Sequence, residues 1–149
     1  MAAIKEETRM GDVTVTSLTN LQNEVHYGDG QTLVTDEPVA AGGTDQGPTP
    51  YDLLLAALGA KTSMTIALYA RRKGWPLTGV TVRLRHSRIH AEDCAECETI
   101  QGMLDRIERE IAVAGELTDE QRTKVLEIAN KCPVHRTLTS EISIRTTLL

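Results

Sequence analysis

The stretch Tyr51–Lys73, YDLLLAALGAKTSMTIALYARRK, decides how the rest of the chain is read. From Leu53 to Ala70 only one side chain carries a full charge, that of Lys61. Before it stand Leu, Ala and Gly; after it stand small, aliphatic or hydroxylic residues apart from Tyr69. A helix of about 20 residues spans ~30 Å, the width of a small domain. A helix apolar on nearly all sides is a buried one. The stretch therefore predicts a central core helix with a lysine at its middle. Burying an ammonium is unfavourable unless it is paired or neutralised. Length alone also suits a membrane span of roughly 20 apolar residues, but Lys61, Thr62, Ser63 and Thr65 interrupt this one. A third use of Lys61 is ordinary: its stem lies along the helix and its ammonium reaches water, as at the wet edge of a subunit interface.

Outward from that helix, composition sets bounds. A chain of 149 residues is expected to form a single domain, 1–149, with a real core. Phe is absent and there is one Trp, so the core is aliphatic. A net charge of −5 argues against nucleic acid as a partner. The opening residues, MAAIKEETRMGD, contain no apolar run of the secretory kind. Three cysteines, Cys94, Cys97 and Cys132, are too few for a disulfide scaffold. The expected compartment is a reducing cytoplasm, with no membrane. Between Met10 and Ala60 there is no Lys or Arg, so the first half offers an anion no fixed cation.

The flanking segments read as follows. Val13–Thr19 alternates and predicts a strand. Asn23–Tyr27 and Gln31–Thr35 predict a hairpin about Gly28-Asp29-Gly30, closed by Asp36-Glu37-Pro38. Ala41–Pro50 is a Gly- and Pro-rich loop. Thr49 is the expected N-cap, Pro50 the first helical residue, and Asp52 suits the positive end of the dipole. The helix is expected to stop at Lys73-Gly74. Val80–Ile89 alternates as a strand. Leu104–Ala114 scans as helix, yet Ile107, Arg109, Ile111 and Val113 also share one face of a strand. Thr118–Lys131 predicts a helix with a Thr118/Gln121 capping box, ended by Pro133. Glu141–Leu148 alternates again. The order β-β-β-α-β-β-α-β points to an α+β domain. One chain of this size has little material to cover a long apolar helix, so a dimer is expected.

Two further patterns carry chemistry. His86, His90, Cys94 and Cys97 form H-x3-H-x3-C-x2-C, with ligand types and spacings suited to zinc. Convergence would require a sharp reversal after the strand, so a Cys94–Cys97 disulfide or free thiols compete with it, and no metal or other cofactor is expected. Gly42-Gly43 and Gly47 lack the G-x4-G-K-[ST] spacing of a phosphate loop and are read as turn glycines.

Three long stretches carry a family resemblance: Gly42–Ala60 (GGTDQGPTPYDLLLAALGA), Tyr69–Trp75 (YARRKGW) and Ile128–Leu138 (IANKCPVHRTL). They resemble the OsmC/Ohr family, in its OsmC-like branch, from about Val13 to the end. The resemblance implies an intertwined α+β homodimer, in which two bent antiparallel sheets wrap two long central helices and the active sites lie at the subunit interface. It also implies that Leu104–Ala114 is a strand. Family enzymes are thiol peroxidases. A peroxidatic cysteine on the core helix becomes a sulfenic acid, a second cysteine resolves it to a disulfide, and dithiols reduce that disulfide. The implied substrate is a small apolar organic hydroperoxide.

Carried over residue by residue, Cys132 matches the resolving cysteine and Lys61 stands at the peroxidatic position. The reductases also use an arginine in the N-terminal hairpin and a glutamate at the start of the core helix. Here the hairpin has no Arg, with His26 the candidate base, and Tyr51 followed by Asp52 occupies the glutamate's place. An amine cannot run a sulfenic-acid cycle, so little peroxidase activity is expected. The alternative is a nucleophilic Lys61 forming Schiff bases with aldehydes or ketones, with His26, His135 or Tyr51 moving protons. A third reading is a non-catalytic binding or stress-response scaffold. Cys132, before Pro133 at a helix C-terminus, gains no favourable dipole as a thiolate. If Lys61 lies against Cys132, oxidation could link the two.

Overall fold

The computed structural model describes residues 11–149, in the order βββαββαα. The opening segment read for a leader lies largely outside the described residues. The chain divides into two compact units, one through Leu53 and one from Leu54 onward.

In the first unit, β1 (Thr14–Ser17), β2 (Asn23–Tyr27) and β3 (Gln31–Thr35) form an antiparallel sheet in that order. The hairpin turns at Gly28 and Gly30, both at positive φ, as the Gly-Asp-Gly signal predicts. Beyond β3 the organising residue is Asp36, only 1% exposed. One carboxylate oxygen accepts from the Glu37 amide at 2.8 Å. The other accepts from the Thr44 hydroxyl at 2.7 Å, the Thr44 amide at 3.2 Å and the Gln46 amide at 3.1 Å. The Thr44 hydroxyl bond, opposed by burial and aided by the three amides, holds Asp36 below its ordinary pKa. The loop can fold around this carboxylate only because Gly43 and Gly47 carry no Cβ: one at Gly43 would collide with the Glu37 carbonyl, and one at Gly47 with the Val34 carbonyl. The glycines are therefore residues of close backbone approach, in line with their reading as turn glycines.

The helix α1 runs Pro50–Lys73. The Asp52 amide donates to Thr49 Oγ1 at 3.1 Å and Asp52 Oδ2 accepts from the Thr49 amide at 3.0 Å, a reciprocal cap. Gly74 ends the helix at φ 66°.

In the second unit, β4 (Leu77–His90) and β5 (Met103–Gly115) pair antiparallel along their whole length. Leu104–Ala114 is thus a strand. A long ribbon of alternating apolar residues outcompetes the local helical pattern because it buries Val80, Ile111 and Val113 against the core. That core is Ile66 from α1 with Val125, Ile128 and Ala129 from α2 (Asp119–Asn130). Tyr69 meets Trp75 edge to face at 5.3 Å beside it. Gly59 lies where a side chain would strike Leu84, so α1 sits close upon β4. The Thr118/Gln121 capping box forms as expected.

Within the single chain the core helix is buried on one face, through Leu58, Gly59, Thr62, Ile66 and Ala70. The opposite face, with Ala56, Ala57, Ala60 and Met64, is exposed, in line with the expectation that one chain has little material to cover a long apolar helix. By length and composition α1 is apolar enough to cross a membrane. Two expectations are corrected. Pro133 does not merely end α2: it opens a further helix, α3 (Pro133–Leu138), since proline suits a first helical position. The alternating segment 141–148 forms no strand; Ile142 and Ile144 are exposed, and no sheet edge of the described chain pairs with it.

Candidate functional site

The site is built where the middle of α1 meets β5 and the α2–α3 junction. Thr62 follows Lys61 and is fully buried. Its hydroxyl donates to the Leu58 carbonyl at 2.7 Å and accepts from Arg109 Nη1 at 2.9 Å. Arg109 Nη2 donates to Asn130 Oδ1 at 3.3 Å and to His135 Nδ1 at 3.2 Å. One guanidinium from β5 thereby ties α1, the end of α2 and α3 together. Arginine has no acceptor to offer, so His135 Nδ1 receives the bond and the ring proton is assigned to Nε2.

Burial pulls Arg109 below its ordinary pKa, with Cys132 acting in the opposite sense. Burial first, and the Arg109 charge second, hold His135 below the ordinary imidazole value of 6.5. His135 is thus a neutral acceptor at pH 7. Beside the cluster lies a pocket of about 340 Å³ lined by Leu58, Ile107 and Leu138 together with Asp105, Arg109 and His135.

Cys132 is buried and free, the one free cysteine among the described residues. It closes α2 by donating its amide to the Ala129 carbonyl at 3.1 Å, and it occupies the N-cap of α3. The expectation of a thiol at a helix C-terminus alone is therefore incomplete, because a second helix begins there.

Lys61 is half-buried within the single chain. It lines a separate groove of about 490 Å³, whose far wall includes Ile128, Lys131 and Pro133. Lys61 and the segment around Cys132 are thus brought to one junction, with Lys61 in the groove and Cys132 inside. The other candidates fall elsewhere. His26 lies on β2 with Nε2 at 3.2 Å from Glu24 Oε1. Tyr51 is exposed on the first turn of α1, and Asp52 is occupied with capping. His26, Tyr51 and Asp52 belong to the first unit, and Lys61, Cys132 and His135 to the second.

The zinc pattern is dispersed. Cys94 and Cys97 form a disulfide with Cα atoms 5.4 Å apart. His86 Nε2 lies 2.8 Å from Asp105 Oδ1, and His90 ends β4. Among the described residues no three His, Cys, Asp or Glu side chains are grouped to hold a metal.

The sequence reading missed Arg109 as a site residue. Its signal was present: a cation in phase with Ile107, Ile111 and Val113 on the buried face of a strand is as anomalous as Lys61 in its helix.

The chain matches the family model described as OsmC-like protein over residues 43–147. No match was found among curated proteins. Solved structures share the fold. An OsmC-like protein from Mycoplasma pneumoniae superposes with TM-score 0.70 at 19% identity, covering 89% of each chain. An organic hydroperoxide resistance protein from Elizabethkingia anophelis, crystallised with bound thiocyanate, gives TM-score 0.66 at 19% identity over 91% of each chain. An organic hydroperoxide resistance protein OsmC from Legionella pneumophila gives 0.64 at 18% identity, over 89% of this chain and 92% of that one.

Proposed function

Since the chain belongs to the OsmC-like protein family, we propose that it is a scaffold of the thiol-dependent organic hydroperoxide reductase type whose peroxidase cycle is interrupted at Lys61. The observation that carries this reading is the thiol inventory. Cys132 is free but buried, and Cys94 and Cys97 are bonded to each other. A two-cysteine cycle needs one thiolate to cleave the peroxide O–O bond, releasing an alcohol and leaving a sulfenic acid. A second thiol must then condense with it, releasing water and forming a disulfide that a dithiol reduces. Lys61 offers nitrogen where the first sulfur is required.

The working form is proposed to be a cytoplasmic homodimer with its sites at the subunit interface, binding neither nucleic acid nor membrane. The exposed Ala56, Ala57, Ala60 and Met64 face of α1 supports a second copy as its cover, because small residues let two helices approach closely. The test is consumption of an organic hydroperoxide with a dithiol. The chain as it stands is expected to show no turnover, and Lys61→Cys is expected to gain it. Turnover by the unaltered chain would overturn the reading.

One observation favours a second reading. Lys61 lines a groove large enough for a small ligand, which suits an amine that forms Schiff bases with aldehydes or ketones. A carbonyl-dependent borohydride adduct mapped to Lys61 is the expected outcome. Its absence would leave a non-catalytic binding scaffold.

A further inference from the structure

The groove beside Lys61 has an unbalanced lining. Lys61, Arg71 and Arg72 from α1 and Lys131 from the α2–α3 junction border it, with Leu68 and Ile128 among its apolar walls. No Asp or Glu lines it. Among the described residues none of the four cations stands within ion-pair distance of a carboxylate, while Arg83, Arg85, Arg88 and Lys124 elsewhere do; Lys131 alone has a carboxylate near enough to feel its charge, that of Glu127, which is already paired with Lys124. Arg72 instead lies over the Tyr69 ring at 5.9 Å. The blander account is that Arg71, Arg72 and Lys131 complement helix C-termini. That account does not reach Lys61, which sits mid-helix, nor does it explain why the cations of two helices border the same apolar groove. Four like charges about one groove repel one another, and salt only screens the repulsion; an anion relieves it. The volume of about 490 Å³ falls in the range of small-molecule sites, roughly 300–1,000 Å³.

We propose that this groove binds a free single-chain organic anion, its carboxylate held among Lys61, Arg72 and Lys131 and its alkyl tail laid along Leu68 and Ile128. The inference goes beyond the hydroperoxide-reductase reading and is independent of it, and it shares only Lys61 and its groove with the Schiff-base reading. Peroxide turnover by the intact chain would leave the binding untouched, and loss of binding would leave the thiol argument untouched.

The test uses the full chain and decanoate as probe, by titration calorimetry at two salt concentrations. Decanoate is expected to bind saturably, one per chain, and more weakly at high salt. Decanol is expected to bind at least about tenfold more weakly, the loss of one charge-assisted contact, and decyltrimethylammonium not at all. Arg72→Gln with Lys131→Gln is expected to weaken decanoate by about a hundredfold, while Arg88→Gln on β4 leaves it unchanged. A second measurement needs no variant: in the unaltered chain, decanoate is expected to protect Lys61 and Lys131, but not Lys124, from amine acetylation mapped by mass spectrometry. Equal binding of decanol and decanoate, or no selective protection, would overturn the proposal. So would binding to phosphatidylglycerol vesicles without saturable binding of free decanoate, which would assign the cations to a bilayer surface instead.

Discussion

Arg109 Nη1 donates to Thr62 Oγ1 at 2.9 Å, across 47 positions of sequence. The bond joins the residue after Lys61 to the middle of β5, and the same guanidinium continues to Asn130 and His135. Thr62, Asn130 and His135 are thus referred to one arginine. Arg109→Met is expected to destabilise the fold by about 1–3 kcal/mol, the usual range for a buried polar partner left unmatched. Thr62→Val is expected to cost about 1 kcal/mol. Urea unfolding of both single variants and the double variant checks this. If their effects simply add, the pair does not act as a unit.

His135 gives the fold an acid limb. Its folded pKa is lowered from 6.5 by burial and by Arg109, so the unfolded chain binds the proton more readily. Stability is therefore full above about pH 6.5 and declines as the pH falls through the depressed folded value. His135→Asn keeps an acceptor for Arg109 but cannot titrate. Thermal melts between pH 7.5 and 5 are expected to fall for the unaltered chain and to flatten for the variant.

The first unit has its own acid-sensitive anchor. Asp36 is lowered below its ordinary value of 3.8 by the Thr44 hydroxyl and the surrounding amides, so its contribution is present above that value and lost as the pH falls through the folded one. Asp36→Asn is expected to unravel the 42–47 loop at neutral pH, seen as accelerated amide exchange at Thr44 and Gln46. Gly43→Ala meets the Glu37 carbonyl and is expected to destabilise by about 1–3 kcal/mol, as overpacking does.

The exposed face of α1 predicts its own cover. Met64 is 56% exposed on the side opposite the buried Leu58–Thr62–Ile66 stripe. Met64→Glu is expected to convert a sedimenting dimer into a monomer with little change in helix content. A monomer already in the unaltered protein would remove the premise.

Much of this was legible in the sequence because it rests on short-range rules. The reciprocal Thr49/Asp52 and Thr118/Gln121 caps, the Gly28–Gly30 turn and the stop at Gly74 are each decided within a few residues. The quoted motifs were long enough to carry the family. Three features were decided only by tertiary structure. The 104–114 segment satisfies two periodicities, and pairing with β4 selects the strand. Pro133 is a legal stop for one helix and a legal start for another, and packing at the α2–α3 junction selects both. Lys61 looks buried in one dimension, since its neighbours are apolar. In three dimensions one face of α1 is covered, and Lys61 falls beside that face. Arg109 is the converse: unremarked within β5, it becomes the centre of the site once chain closure brings Thr62, Asn130, Cys132 and His135 around it. The sequence by itself determined the caps, the turns, the core helix and the family. That Lys61 borders a groove while Arg109 joins α1, α2 and α3 was decided by packing, because contacts belong to faces that meet and sequence neighbours do not report them.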